Sequence, residues 1–172
     1  MNKNIIIEDN FLDPVSFTTI KEVLMGRNFP WYYQNSVVNP TENEVLDVDV
    51  YQFIHLFFSV EDGGVCSNQY SLLDPLFQKL NAQTVIKVKS NLLTRNQLPK
   101  YFDYHIDYNY PTGKTAIYYI NTNNGCTIFE DGTEVNSVEN RVVIFDNNIR
   151  HTGKTCSDES VRVLINLNYF SY

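Results

Sequence analysis

His105-Ile106-Asp107 opens the stretch 104–170, and the reading of that stretch decides the fold. Alternate residues of an extended strand point to the same side. A histidine and an aspartate one residue apart can therefore reach a single ion from one strand end. Two further residues follow at long range: His151, after the turn signal Asn147-Asn148, and Arg162, inside an apolar run. Two imidazoles and one carboxylate can occupy one face of a metal ion and leave the opposite face open. A His-x-Asp triplet is common by chance, so its weight comes from the later histidine and arginine.

Around that triplet the pattern is one of short strands, expected at 101–105, 115–121, 127–130, 142–146 and 161–170. Asn123-Asn124-Gly125, Asp131-Gly132 and Asn147-Asn148 mark turns between them. Regular short strands with turn signals suggest a sandwich or jelly roll. Further upstream, Ile86 and Val88 alternate with Lys87 and Lys89, the mark of a half-buried strand over 85–90. Residues 50–60 read as a buried strand, in which His55 is a hydrogen-bonded core residue before it is a ligand. Leu72, Leu73, Leu76, Phe77 and Leu80 give a helical stripe over 69–80, with Asp74-Pro75 as an alternative start. Asp13-Pro14 reads as N-cap and first residue of an earlier helix ending near Met25-Gly26, with Val15, Phe17, Ile20, Val23 and Leu24 on one face. A short strand at 4–7 precedes it and an extended aromatic segment at 29–33 follows. The polar segment 35–49 is a surface loop, or alternatively a lid.

The totals narrow the class. At 172 residues the chain is expected to form one domain, with 1–83 supplying helices and supporting strands and 84–172 the β-rich core. Hydrophobic residues at 43% exclude disorder, and 12 Tyr with 11 Phe favour sheet. A net charge of −7 argues against a nucleic-acid partner, which would need clustered Lys and Arg. Lys87, Lys89, Arg95 and Lys100 are a local exception, read as a solvated face with a substrate-steering patch as the alternative. Three cysteines (Cys66, Cys126, Cys156) show no framework spacing, and neither a signal peptide nor a membrane-spanning run is apparent. A reducing cytoplasmic setting is the expectation, with Cys156 as small apolar filling and not a ligand. Oligomeric state is not legible.

Several pieces of 84–170 occur in the order seen in one family. They are His105-Ile106-Asp107, then Thr115-Ala116-Ile117-Tyr118-Tyr119-Ile120-Asn121, then Gly125-Cys126-Thr127-Ile128-Phe129. Arg141-Val142-Val143-Ile144-Phe145, His151, and the strand from Arg162 to Phe170 complete the set. Together they resemble the core of prolyl-4-hydroxylase-type Fe(II)- and 2-oxoglutarate-dependent dioxygenases, with Cys126 where the family has Glu. The resemblance implies a mainly β protein with flanking helices, a double-stranded β-helix of the jelly-roll, cupin-like kind. It also implies that His105, Asp107 and His151 bind Fe(II), and that Arg162 pairs with the far carboxylate of 2-oxoglutarate. Tyr119 would add a hydrogen bond to that carboxylate, and Asn166 stands where some members place a Thr with a similar contact. O₂ would be the oxidant.

Elementary electrostatics points the same way at Arg162. A dicarboxylate in a narrow barrel calls for a permanent, bidentate cation. An unpaired guanidinium in an apolar strand costs several kcal/mol, so an anion should meet it; the other reading is an Asp or Glu from a neighbouring strand. The expected substrate is a prolyl or other side chain of a peptide or protein, with a free amino acid or small metabolite as the alternative. Trp31, Tyr32, Tyr33, Tyr108 and Tyr110 are candidates for an aromatic wall, or simply for packing. A non-catalytic jelly-roll module that keeps the metal, and a metal-dependent hydrolase, are the readings from other classes. Zinc is the rival ion, but its sites favour tetrahedral sets with Cys or a third His.

Overall fold

A computed structural model of the chain describes residues 4–36 and 51–171. In chain order the elements are β1 (Ile5–Glu8), α1 (Pro14–Leu24), β2 (Tyr32–Gln34), β3 (Gln52–Ser59) and β4 (Gly64–Val65). A 3-10 turn, Tyr70–Leu73, runs into α2 (Asp74–Lys79), followed by β5 (Thr84–Thr94), β6 (Lys114–Tyr119), β7 (Cys126–Phe129) and β8 (Glu134–Asn136). β9 (Arg141–Asp146), β10 (His151–Lys154) and β11 (Val161–Phe170) complete it. One large antiparallel sheet has the order β1-β9-β6-β11-β5-β3-β2, with β4 pairing β3; the order in a facing three-stranded sheet is β10-β7-β8. This is the expected jelly roll with helices on one side.

β11 shows how the sequence builds both sides of the large sheet. Its odd residues, Val163, Ile165, Leu167 and Tyr169, join a core with Phe17, Ile20 and Leu24 of α1 and with Leu73 and Leu76 beneath α2. Of its even residues, Leu164 joins Ile117, Tyr119, Val143 and Phe145 against Phe129 and Val135 of the small sheet. The strand is mostly buried at both parities because it is covered on both faces, apolar throughout on the helix side and mixed on the other. Arg162, Asn166 and Asn168 share Leu164's parity and so belong to the inter-sheet side.

Asp13 caps α1 as expected: its Oδ1 accepts from the Val15 and Ser16 amides at 3.0 and 3.1 Å. Val15 itself faces solvent, so the apolar face starts at Phe17. The single helix expected at 69–80 divides at Asp74. Pro75 has no N–H and crowds the carbonyl of residue 71, so the turn before it tightens to 3-10.

The strand expected at 101–105 is a second departure. Only Tyr101 and His105 form isolated bridges, to Lys154 and His151. The segment runs along β10, which is only four residues long, and so lacks a full partner. β5, expected to stop at residue 90, runs on to Thr94, because Asn91 breaks the apolar alternation without breaking the strand. Residues 37–49 of the loop read as surface or lid lie outside the described residues. Among the described residues, no helix is long and apolar enough to cross a membrane.

Candidate metal centre

Two backbone hydrogen bonds bring the distant histidines together. The His105 amide donates to the His151 carbonyl and the His151 amide to the His105 carbonyl, both at 3.0 Å. β10 in turn is held on β7, with His151 opposite Phe129. The imidazoles lie 4.6 Å apart between ring centres. Each ring is oriented alike: Nδ1 of His105 is 3.2 Å from the Asp103 carbonyl, and Nδ1 of His151 is 3.1 Å from that of Ile149. With Nδ1–H donating to those carbonyls, each Nε2 keeps its lone pair for an ion.

Both Nε2 atoms face Asp107. His105 Nε2 is 3.7 Å from Asp107 Oδ1, and His151 Nε2 is 4.0 Å from Oδ2. The three ligand atoms lie within 4.8 Å of one another, and no other group of His, Cys, Asp or Glu among the described residues has this form. Burial holds the His151 imidazole below the ordinary histidine range, with Asp107 pulling it up and His105 pushing it further down. It is therefore neutral, as a ligand must be.

Asp107 is fixed by three neutral donors. Its Oδ2 accepts from Thr115 Oγ1 at 3.2 Å, Asn166 Nδ2 at 3.2 Å and Asn168 Nδ2 at 3.1 Å. Thr115 and Asn168 are register partners on β6 and β11, so the sheet itself builds this cradle. Sequence reading missed Thr115 and Asn168; the polar residues at one parity of β11, Arg162, Asn166 and Asn168, were the signal that could have found the second. Asn166 faces Asp107 here; no described contact joins it to Arg162.

Arg162 is 2% exposed. Its Nε donates to Ser137 Oγ at 2.8 Å, one terminal nitrogen reaches Thr127 Oγ1 at 3.4 Å, and its Cζ sits 5.6 Å from the centre of the Tyr119 ring. No carboxylate among the described residues pairs with it, so the alternative of a structural Asp or Glu partner is not what the fold provides. Burial pulls its guanidinium down from the ordinary arginine range. Tyr119 is wholly buried and donates to Thr127 Oγ1 at 2.7 Å; burial pushes its phenol up to about 12. It packs against Arg162 outside the cavity lining.

One cavity of about 80 Å³ is shared by His105, Asp107, His151 and Arg162. Gly125 makes room for this arrangement: a Cβ there would lie 2.6 Å from Arg162 Cδ and 2.8 Å from the Lys154 carbonyl. The proposed aromatic wall does not line the cavity. Tyr108 stacks on Tyr110 at 5.5 Å, while Tyr32 and Tyr33 are exposed on the edge strand β2. Of the basic stretch, Lys89 lines the cavity and Lys87 pairs with Glu61 at 3.8 Å. His55 is the expected core residue, with Nδ1 2.8 Å from the Pro30 carbonyl and Nε2 2.7 Å from Ser67 Oγ. Cys156 is buried and its thiol reaches the Glu159 carbonyl, outside the ligand group.

No protein-family model and no curated protein sequence matches the chain. Solved structures do. A prolyl hydroxylase from Trichoplax adhaerens, in complex with a hypoxia inducible factor oxygen degradation domain peptide fragment, aligns with 99% of this chain and 84% of its own at a TM-score of 0.62 and 17% identity. A 2OG-Fe(II) oxygenase family oxidoreductase from Burkholderia pseudomallei covers 98% of this chain and 86% of its own at a TM-score of 0.67 and 8% identity. The non-heme alpha ketoglutarate dependent carbocyclase SnoK from nogalamycin biosynthesis covers 98% and 79% at a TM-score of 0.62 and 15% identity. The chain has the fold these proteins share.

Proposed function

We propose that the chain is an Fe(II)- and 2-oxoglutarate-dependent oxygenase that hydroxylates its substrate. The observation that carries this is the shared cavity: a His-Asp-His set open on one side and, in the same space, a buried guanidinium that no carboxylate among the described residues pairs. The donor set fits Fe(II). It offers two neutral imidazoles and one carboxylate, and leaves coordination positions for a bidentate cosubstrate and O₂. Neither a cysteine nor a third histidine joins the set, which disfavours a closed zinc site.

In this reading His105, Asp107 and His151 hold the metal, and Arg162 holds the far carboxylate of 2-oxoglutarate. Bound there, the metal and its cosubstrate would supply oxidative decarboxylation to succinate and CO₂, coupled to hydroxylation of a substrate C–H by O₂. The protein's own part is positional. Asn166, Asn168 and Thr115 fix the carboxylate plane of Asp107, the Asp103 and Ile149 carbonyls fix the imidazoles, and Ser137 with Thr127 aims the guanidinium. Leu93, Ile117 and Leu164 give the same cavity an apolar wall.

Likeness to the prolyl hydroxylases supports a peptidyl proline or another peptide side chain as substrate. SnoK has the same fold and, as a carbocyclase of nogalamycin biosynthesis, supports a small molecule equally well. Anaerobic addition of Fe(II) and 2-oxoglutarate should give a visible charge-transfer band, and admitting air should then yield succinate. A band without succinate under prolonged aeration would favour a binding module; no band would refute the chelation geometry.

A further inference from the structure

Lys89 is the cation of this site that the chemistry above does not use. It lies on β5 beside Asn166 of β11, whereas Arg162 lies beside Leu93, four residues further along β5. The two cations are thus separated by about 13 Å of strand, with Lys89 on the metal-ligand side of the cavity. Lys89 makes no hydrogen bond or ion pair with any described residue. Lys87, on the same face, has Glu61. Asp107 attracts Lys89 through space only, and desolvation outweighs that pull, holding the ammonium below the ordinary lysine range.

Formal charge then decides what is missing. On the oxygenase reading, on which this inference rests, Asp107 and 2-oxoglutarate bring three negative charges and Fe(II) with Arg162 three positive. The loaded site is balanced without Lys89, whose charge is left in surplus inside a desolvated cavity. Asn91, two residues along the same face of β5, also lines the cavity, but its unpaired Oδ1 is buried out of reach of a bound molecule. Its Nδ2 is occupied by Gln52 Oε1 at 2.6 Å. The unmatched Lys89 cation complements a carboxylate on a small molecule.

We propose that the substrate is a free α-amino acid or close analogue, its carboxylate bound by Lys89. A peptide-embedded prolyl residue has no free carboxylate and would leave Lys89 unmatched.

The test compares the proteinogenic L-amino acids with their primary amides and with N-acetyl-prolyl amide, using the full chain loaded with Fe(II) and 2-oxoglutarate. Perturbation of the charge-transfer band is read anaerobically and substrate-stimulated succinate in air. At least one acid should perturb the band and stimulate succinate tenfold or more, with its amide at least tenfold weaker. Lys89→Met should raise the acid concentration required at least tenfold while the 2-oxoglutarate midpoint stays within twofold; Lys89→Arg should retain part of the affinity. Equal action of amides or of the blocked prolyl compound overturns the proposal, as does an intact band that no acid perturbs. A tenfold shift of the 2-oxoglutarate midpoint in Lys89→Met also overturns it, by assigning Lys89 to the cosubstrate. Failure of the native chain to form the band takes down the oxygenase reading as well, so the two failures are distinguishable. If Lys89→Met does not fold, the acid-against-amide comparison in the native chain decides.

Discussion

Asp107 accepts three hydrogen bonds on Oδ2, and those bonds set the aim of its other oxygen toward His105. Removing Asn168 Nδ2 should therefore loosen the metal without touching it. Partners of this kind typically cost 10- to 100-fold in metal affinity, and Asn168→Leu should weaken Fe(II) by about that factor, measured by calorimetric titration. Asp107→Ala and His105→Ala should abolish turnover and leave the circular dichroism spectrum native; activity retained in Asp107→Ala would contradict its role as ligand. Arg162→Ala should weaken 2-oxoglutarate far more than iron. Hydrogen bonds to charged groups are worth roughly 1.5–3 kcal/mol, so a loss of about 10- to 150-fold is expected. Equal losses of both ligands would indicate a folding defect instead. The triplet His105-Ile106-Asp107 was legible because its spacing is local. The cradle of Asp107 was not, because hydrogen bonds across a sheet depend on register, which no single strand specifies.

At the scale of elements, β11 was legible to its end residues, since Val161, Val163, Ile165, Leu167 and Tyr169 keep one face apolar along its whole length. β8 and β10 were not: Glu134–Asn136 and His151–Lys154 are short, polar and contain Gly153, so they carry no periodic signal. Their pairing is imposed by the Asp131-Gly132 turn and by the His105–His151 bridge. Two residues at element junctions give sharp tests. Gly125→Ala should push a methyl into Arg162 and the Lys154 carbonyl, which is backbone and yields poorly; 2-oxoglutarate affinity should fall while Fe(II) affinity is retained. Asn140 adopts φ +57° and ties the chain before α1 to β6: Oδ1 accepts from the Leu12 amide at 2.9 Å and from Tyr118 Oη at 2.7 Å, and Nδ2 donates to the Leu12 carbonyl at 2.9 Å. Asn140→Ala should cost about 2–4 kcal/mol in denaturant unfolding, from unsatisfied buried partners and a left-handed backbone without its asparagine. A loss under about 0.5 kcal/mol would show the tie to be incidental.

Taken whole, the molecule is two cores divided by one sheet, with helices packing on one side and the His-Asp-His group on the other. The aromatic-rich composition announced the sheet; it did not say which aromatics would face the cavity, and the candidates for its wall lie outside the lining. Acid should expose a weakness of the helical side. Burial holds His55 below its ordinary 6.5, with the Pro30 carbonyl opposing, so the folded chain resists a proton that the unfolded chain takes up. Stability is then full above about pH 6.5 and falls as pH drops through the depressed folded value. Thermal midpoints of the metal-free protein should drop between pH 7.5 and 5, and drop less steeply in His55→Gln; identical slopes would exclude His55 as a contributor.

Convergence of His105, Asp107, His151 and Arg162 on one cavity is tested most directly by anomalous diffraction at the iron edge, from crystals grown anaerobically with Fe(II) and 2-oxoglutarate. The geometry calls for a single iron peak bonded to both Nε2 atoms and one oxygen of Asp107, with the far carboxylate of the keto-acid on Arg162. Iron bonded elsewhere, or a further protein ligand closing the open face, would contradict it.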